Sequence, residues 1–286
     1  MDRQTEIATP GALLNEKGDL ARPGFSRALV QEYRRADVKV SPLRIKEWDY
    51  YLVNNGKFAL ALTVADNGYM GLDSVSLLDL EEGWEITKSP MSFLPLGKKH
   101  LPETSVTGDV HSAARGYGIH FIHEGEKRVL IAYMNKFGES ALSARVELTE
   151  CPEDSLVIAT PFDKPGHFYY NQKIVGFRAS GYVNYNGKTY TFEPSDSFAV
   201  LDWGRGVWTY ENTWYWSSAA YVLPSGTPFG WNLGYGFGDT SAASENMLFH
   251  AGTAHKLGGI KFEIPGEAEG KERYTEPWKF TSDDGR

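Results

Sequence analysis

Residues 43–66 read LRIKEWDYYLVNNGKFALALTVAD. Two runs of alternating character, 43–53 and 57–66, flank Asn54-Asn55-Gly56. Asn-Gly between such runs is a strong hairpin signal, because both residues tolerate positive φ. The pattern returns at 118–135 (GIHFIHEGEKRVLIAYMN), turning at Glu124-Gly125, and at 181–194 (GYVNYNGKTYTFEP), turning at Asn186-Gly187. GWNLGYGFG, ENMLFHAGTAHKLGGIKFEIP and ERYTEPWKF continue it toward the C-terminus. Strands about ten residues apart, joined by Gly and Asn turns, predict an all-β sandwich or barrel. An aromatic share of 14% and 30 glycines in 286 residues point the same way.

Residues 1–42 are polar and turn-rich, with one short helix expected over SRALVQEYRRADV, where Leu29, Tyr33 and Val38 fall loosely on one side. YLVNNGK near 51 and YVNYNGK near 182 echo each other, which fits either two tandem β units or two common hairpins. We place the boundaries at 1–42 for the N-terminal segment, 43–160 for a first β unit and 161–286 for a second. The closing TSDDGR reads as a turn awaiting a partner strand, hence as a truncated end.

A net charge of −8 argues against a nucleic-acid partner, which needs a clustered basic footprint. The single cysteine, Cys151, forms no disulfide framework and suits a reducing compartment. The N-terminus has no apolar signal-peptide run, and no window approaches the roughly 20 apolar residues of a membrane span, so a cytoplasmic location is expected. The oligomeric state is not encoded legibly. His120 and His123 point to opposite faces of one predicted strand, and His250 and His255 flank a Gly turn, so no metal site is expected. Nucleophile-elbow and Cys–His motifs are missing too.

The candidate chemistry lies in LDWGRGVWTYENTWYW, residues 201–216. Asp202, Arg205 and Glu211 sit among Trp203, Trp208, Trp214 and Trp216. In a strand, Asp202 and Trp203 face opposite ways. A carboxylate in an aromatic pocket loses hydration, rises in pKa and can act as a general acid. A neighbouring arginine opposes that, so a structural Asp202–Arg205 ion pair is the competing reading. In GWNLGYGFGDTSAASENMLF, Gly230, Asn232, Gly234, Gly236 and Gly238 share one face, while Trp231, Leu233, Tyr235, Phe237 and Asp239 share the other. A face stripped by glycine leaves room for a ligand or a crossing backbone. Asp239, Ser241, Glu245 and Asn246 form either a polar cluster at a barrel mouth or an ordinary Asx turn. The spacing does not match a dinucleotide fingerprint. In PLRIKEWDYY, Arg44, Lys46, Trp48 and Tyr50 share one face and Glu47 and Asp49 the other, with a solvated face as the default. HFYYNQK adds Tyr169, Tyr170, Asn171 and Lys173.

ARPGFSR, PLRIKEWDYY, YYNQK, LDWGRGVWTYENTWYW and NLGYGFGDTSAASENMLF together resemble the family known as domain of unknown function 2804, from about Gly18 to the C-terminus. More distantly, the chain is similar to proteins with two lipocalin-like β units, the carotenoid hydratases and tocopherol cyclases. The resemblance implies two tandem lipocalin-like antiparallel barrel or sandwich units. It also implies an acidic residue beside a Trp-Gly that protonates an alkene, matched here by Asp202-Trp203-Gly204. The histidine usual near the hydratase tryptophan is missing from LDWGRG.

The leading expectation is an acid-catalysed cyclase, hydratase or isomerase for a small, largely apolar molecule, working without a cofactor. Asp202, Glu211 and Asp239 are its catalytic candidates. Trp203, Arg205, Trp208, Trp214, Trp216, Asn171, Asn232, Tyr235, Glu245 and Asn246 are its ligand-binding candidates. The alternatives are a non-catalytic lipid, pigment or carbohydrate binder, and a carbohydrate-active enzyme using paired carboxylates.

Overall fold

The computed structural model describes residues 4–285. Their regular structure is antiparallel β-sheet, apart from one short parallel pair and three single turns of 3₁₀ helix. The expected Asn-Gly turns are present. At the first, Gly56 alone takes a positive φ, and the Asn55 side chain accepts the Lys57 and Phe58 N–H groups at 3.1 Å each. At the third, Asn186 and Gly187 both take positive φ, as a two-residue hairpin turn requires.

The main sheet has 14 strands. Its path runs Trp84–Lys88, Met70–Asp79, Phe58–Asp66, Lys46–Asn54, Phe198–Val207, Phe168–Tyr185, Ser140–Thr149, Lys127–Phe137, Tyr117–Glu124 and Val110–Ala114. It curls around a core built from side chains such as Val64, Val75, Phe121, Leu130, Val146 and Trp203. The two ends of the path are not hydrogen-bonded to each other, so this is a curled sandwich rather than a closed barrel. Phe168–Tyr185 and Phe198–Val207, from the chain's later half, sit in the middle of this sheet. The two hairpins whose sequences echo each other both contribute to it.

A second sheet of four strands, Tyr215–Val222, Pro228–Tyr235, Met247–His250 and Thr253–Lys256, covers the outer face of those middle strands. The layer between holds Leu156, Val175, Phe198, Val200, Trp208, Phe237 and Met247. Phe198–Val207 is therefore buried on both sides along its whole length. Leu201, Trp203 and Val207 enter the main core, while Phe198, Val200 and Asp202 face the second sheet. A third small cluster around Leu233, Leu257 and Phe262 fills the outer side of the second sheet, where Lys279–Ser282 pairs with Ile260–Glu263.

The helix expected over 26–38 does not form. Gln31–Glu32 instead pairs in parallel with Gly11–Ala12, and only Arg35–Asp37 makes a 3₁₀ turn. Tertiary contacts override the weak helical period: Tyr33 and Val38 enter the main core, and the Tyr33 hydroxyl donates to Glu47 at 2.8 Å. No helix among the described residues is long and apolar enough to cross a membrane.

Gly204 shows why glycine interrupts an otherwise large-residue strand. A Cβ there would lie 2.3 Å from the Trp48 ring. Gly204→Ala should displace Trp48 and cost about 1–3 kcal/mol, read as a lower urea midpoint with an unchanged m-value.

Candidate active site

Three adjacent strands align their side chains on the face toward the second sheet. Register places Tyr50, Asp202 and Lys173 in one row, and Trp48, Gly204 and Asn171 in the next. Asp202 is buried and accepts three hydrogen bonds: from Lys173 Nζ at 2.5 Å, Asn171 Nδ2 at 2.6 Å and Trp48 Nε1 at 3.2 Å. Lys173 is fully buried, and its ammonium lies 5.1 Å and 4.8 Å from the Trp214 and Trp216 ring centres. Desolvated cation–π contacts of this kind contribute about 2 kcal/mol, partly offsetting the loss of hydration.

The competing Asp202–Arg205 pair is absent. The two residues differ in strand parity, and Arg205 turns into the main core. There it bonds Asp49 at 2.9 Å and the carbonyls of Trp48, Gly204 and Pro102. Its guanidinium lies 4.2 Å from the Trp203 ring centre. Trp203 and Arg205 thus lie behind the Asp202 face rather than lining it.

The second sheet supplies the facing wall. Glu245 is buried, and Trp214 Nε1 donates to its Oε1 at 2.5 Å. Its other oxygen, Oε2, has no partner among the described residues, and neither has the Tyr169 hydroxyl. Burial pushes the Glu245 carboxyl up to about 7, against the opposing pull of Lys173 and of the Trp214 hydrogen bond. The Asp202 charge adds to the rise. Burial also raises the Tyr169 hydroxyl well above its usual range, reinforced by the charges of Asp202 and Glu245. Burial, with the Asp202 charge, pushes Tyr50 up to about 12. Glu245, Asp202, Lys173 and Tyr169 are therefore electrostatically one cluster.

The glycine face of Pro228–Tyr235 admits this arrangement. A Cβ on Gly234 would lie 2.6 Å from the Glu245 carboxyl, and one on Gly230 would lie 2.7 Å from Val175. Asn232, on the same face, receives Trp216 Nε1 at 2.8 Å and donates to the Glu245 carbonyl at 2.7 Å, so it fixes both walls. Asn246 braces the loop, accepting from Gly234 N–H and donating to the Gly258 carbonyl. Trp208 packs edge-on against Trp48 at 5.2 Å and against Tyr169 at 5.8 Å. Trp214 and Trp216 are half-buried beside Tyr50.

Three candidates lie elsewhere. Glu211 is exposed, and its side chain makes no hydrogen bond among the described residues. Asp239 is exposed and accepts the Ser241 N–H in an ordinary Asx turn, which holds its carboxyl below the usual range. Tyr235 stacks on Tyr215 at 4.8 Å on the outer face of the second sheet. The solvated face expected for Arg44, Lys46, Trp48 and Tyr50 is largely covered instead: Lys46 is buried beneath Tyr69 and Trp208, and Trp48 and Tyr50 are half-buried against Trp208 and Trp216. Among the described residues, no group of three or more His, Cys, Asp and Glu could hold a metal ion.

Trp48, which donates to Asp202, reads in the sequence as part of a solvated face, and strand-by-strand reading does not promote Lys173 and Tyr169 either. Their shared parity with Asn171 in YYNQK was the available signal.

Fold and site together define an all-β protein with a buried acid–base cluster clamped between two sheets. The chain belongs to the family described as a domain of unknown function (DUF2804), whose model matches residues 4–286. No curated protein matches the chain. Among solved structures, a Nitrosomonas europaea protein provisionally named AttH is similar in fold, at TM-score 0.52 and 14% identity, covering 82% of this chain and 75% of that one. Kievitone hydratase from Nectria haematococca aligns at TM-score 0.44 and 12% identity, covering 83% and 72%. CghA aligns at TM-score 0.41 and 10% identity, covering 88% and 75%.

The Glu245 environment sets a pH signature. Its folded-state pKa, about 7, lies above the unfolded value near 4.5, so the native state binds the extra proton between them. Its contribution to stability is complete below about pH 4.5 and is lost as pH rises through about 7. Glu245→Gln should flatten this decline, measured as melting temperature against pH from 4.5 to 7.5.

Proposed function

We propose that the cluster is an acid–base site for the cyclisation, hydration or isomerisation of a small, largely apolar molecule. Glu245 is the proton donor. A carboxyl that titrates near 7 is protonated in an appreciable fraction of molecules at neutral pH, and it returns its proton without a large driving-force penalty. The unpartnered Glu245 Oε2 carries this reading, since a buried oxygen with no protein partner has its hydrogen-bonding capacity to spare. Asp202 and Lys173 then act as fixed charges. The Lys173 ammonium, held on Asp202 and against the Trp214 and Trp216 faces, favours the Glu245 carboxylate that proton transfer leaves behind. This moves the acid from Asp202, whose two oxygens already accept three donors, to the facing carboxylate.

The same full satisfaction of Asp202 favours a second reading, in which the interface between the two sheets holds a lipid or pigment without turning it over. Paired carboxylates of the glycosidase kind find less support, because Glu211 and Asp239 are exposed and bond nothing in the cluster.

The discriminating experiment runs a panel of small alkenes and isoprenoids with the protein in D₂O. An acid-catalysed reaction delivers one solvent-derived deuteron to carbon, detected by mass spectrometry. Wild-type protein should yield labelled product at a rate that falls as pH rises above about 7. Glu245→Gln should slow it by about 10²- to 10⁴-fold. Tight binding with no label, unchanged in Glu245→Gln, selects the non-catalytic reading.

A further inference from the structure

The layer between the sheets holds an apolar cavity further along the same strands as the Asp202 row. Val175 shares its face with Lys173, Phe198 with Asp202, and Ala220 with Trp216. Val175, Phe198, Ala220, Phe229, Gly230 and Phe249 line a space of about 130 Å³. An apolar cavity of about 150 Å³ accepts a benzene ring, so this one suits a single small ring.

The exposed end of the cavity carries one cation. Arg178 lies with its guanidinium 4.6 Å from the Phe198 ring centre, and its Nη1 donates to the Pro194 carbonyl at 3.2 Å. Its Nε lies 3.5 Å from Glu150, whose side chain is 75% exposed. An ion pair so solvated contributes little, so Glu150 is a replaceable counter-ion. Arg178 otherwise presents a planar fork suited to a carboxylate.

We propose that this cavity binds a small aromatic carboxylate. The ring occupies the space between Val175, Phe198 and Ala220, and the carboxylate replaces Glu150 on Arg178. Burial of the ring supplies what the Glu150 side chain lacks, and the charge gives selectivity over a neutral molecule of the same shape. The site requires no turnover and is independent of the role given to Glu245.

Titration with 4-fluorobenzoate, followed by ¹⁹F NMR line broadening, tests it. 4-Fluorobenzyl alcohol supplies the ring without the charge, and fluoroacetate the charge without the ring. Wild-type protein should bind 4-fluorobenzoate at millimolar concentration and neither control measurably. Arg178→Gln should weaken binding about tenfold. Glu150→Gln, an exposed change that leaves the core intact, should tighten it about threefold. Ala220→Leu should fill the cavity and abolish binding. Equal binding of the acid and the alcohol, no loss in Arg178→Gln, or no broadening by wild-type protein would each overturn the proposal. None of these results bears on deuteron transfer by Glu245.

Discussion

The buried ion pair between Lys173 and Asp202 is the constraint on which the rest depends. Two charges between two apolar layers are costly unless hydration is replaced group by group. Here the carboxylate receives the ammonium, an amide and an indole N–H, and the ammonium sits against two indole faces. Those partners come from Lys46–Asn54, Phe168–Tyr185, Phe198–Val207 and the start of the second sheet. Satisfying one pair therefore fixes the register of three strands and the docking of a second sheet upon them. The neighbouring glycines follow from the same demand: Gly204 admits Trp48, and Gly234 admits Glu245.

Polar groups separate cleanly across the shared strand. On one side Arg205 satisfies Asp49 and three carbonyls, and Arg128 bonds the Tyr51 hydroxyl at 2.8 Å, so the main core carries its own braced charges. On the other side a carboxylate oxygen is left over. Among the described residues, Glu245 Oε2 and the Tyr169 hydroxyl both lack partners within one cluster, and burial pushes that same Glu245 carboxyl up to about 7. Buried unpartnered atoms occur on both sides of the strand, Arg205 Nε and Trp203 Nε1 among them; the Glu245 side differs in carrying an unpartnered carboxylate oxygen on a carboxyl pushed up to about 7. Lys256, pushed down to about 7 by burial, sits close enough to feel the Glu245 charge. The acid is thus embedded in a wider titrating neighbourhood.

Much of the fold was legible because its signals are local. Asn55-Gly56 and Asn186-Gly187 mark their turns through their own backbone preferences, and strand parity correctly set Asp202 against Trp203. The partner choice was not legible. Asp202 has Arg205 three residues away and Lys173 twenty-nine away, and only sheet register decides between them. Trp48 and Tyr50 read as a solvated face because alternation looks the same whether the second face meets water or another sheet. The covering strands, 215–256, lie more than 150 residues further on. Glu245 was picked out within a turn-like polar cluster, but its burial depends on Gly234 and Trp214, so its environment emerges only in three dimensions. The lost helix at 26–38 has the same cause, a weak period overruled by Tyr33 reaching Glu47.

The central claim is that Lys173 and Asp202 act as one coupled unit at the centre of the interface between the sheets. A double-mutant cycle with Lys173→Met, Asp202→Asn and both together, read by urea unfolding, measures this directly. Each single change strands a buried partner and should cost about 3–5 kcal/mol, while the double should cost far less than their sum, a coupling of at least about 2 kcal/mol. Additive losses, with coupling below about 0.5 kcal/mol, would contradict the account.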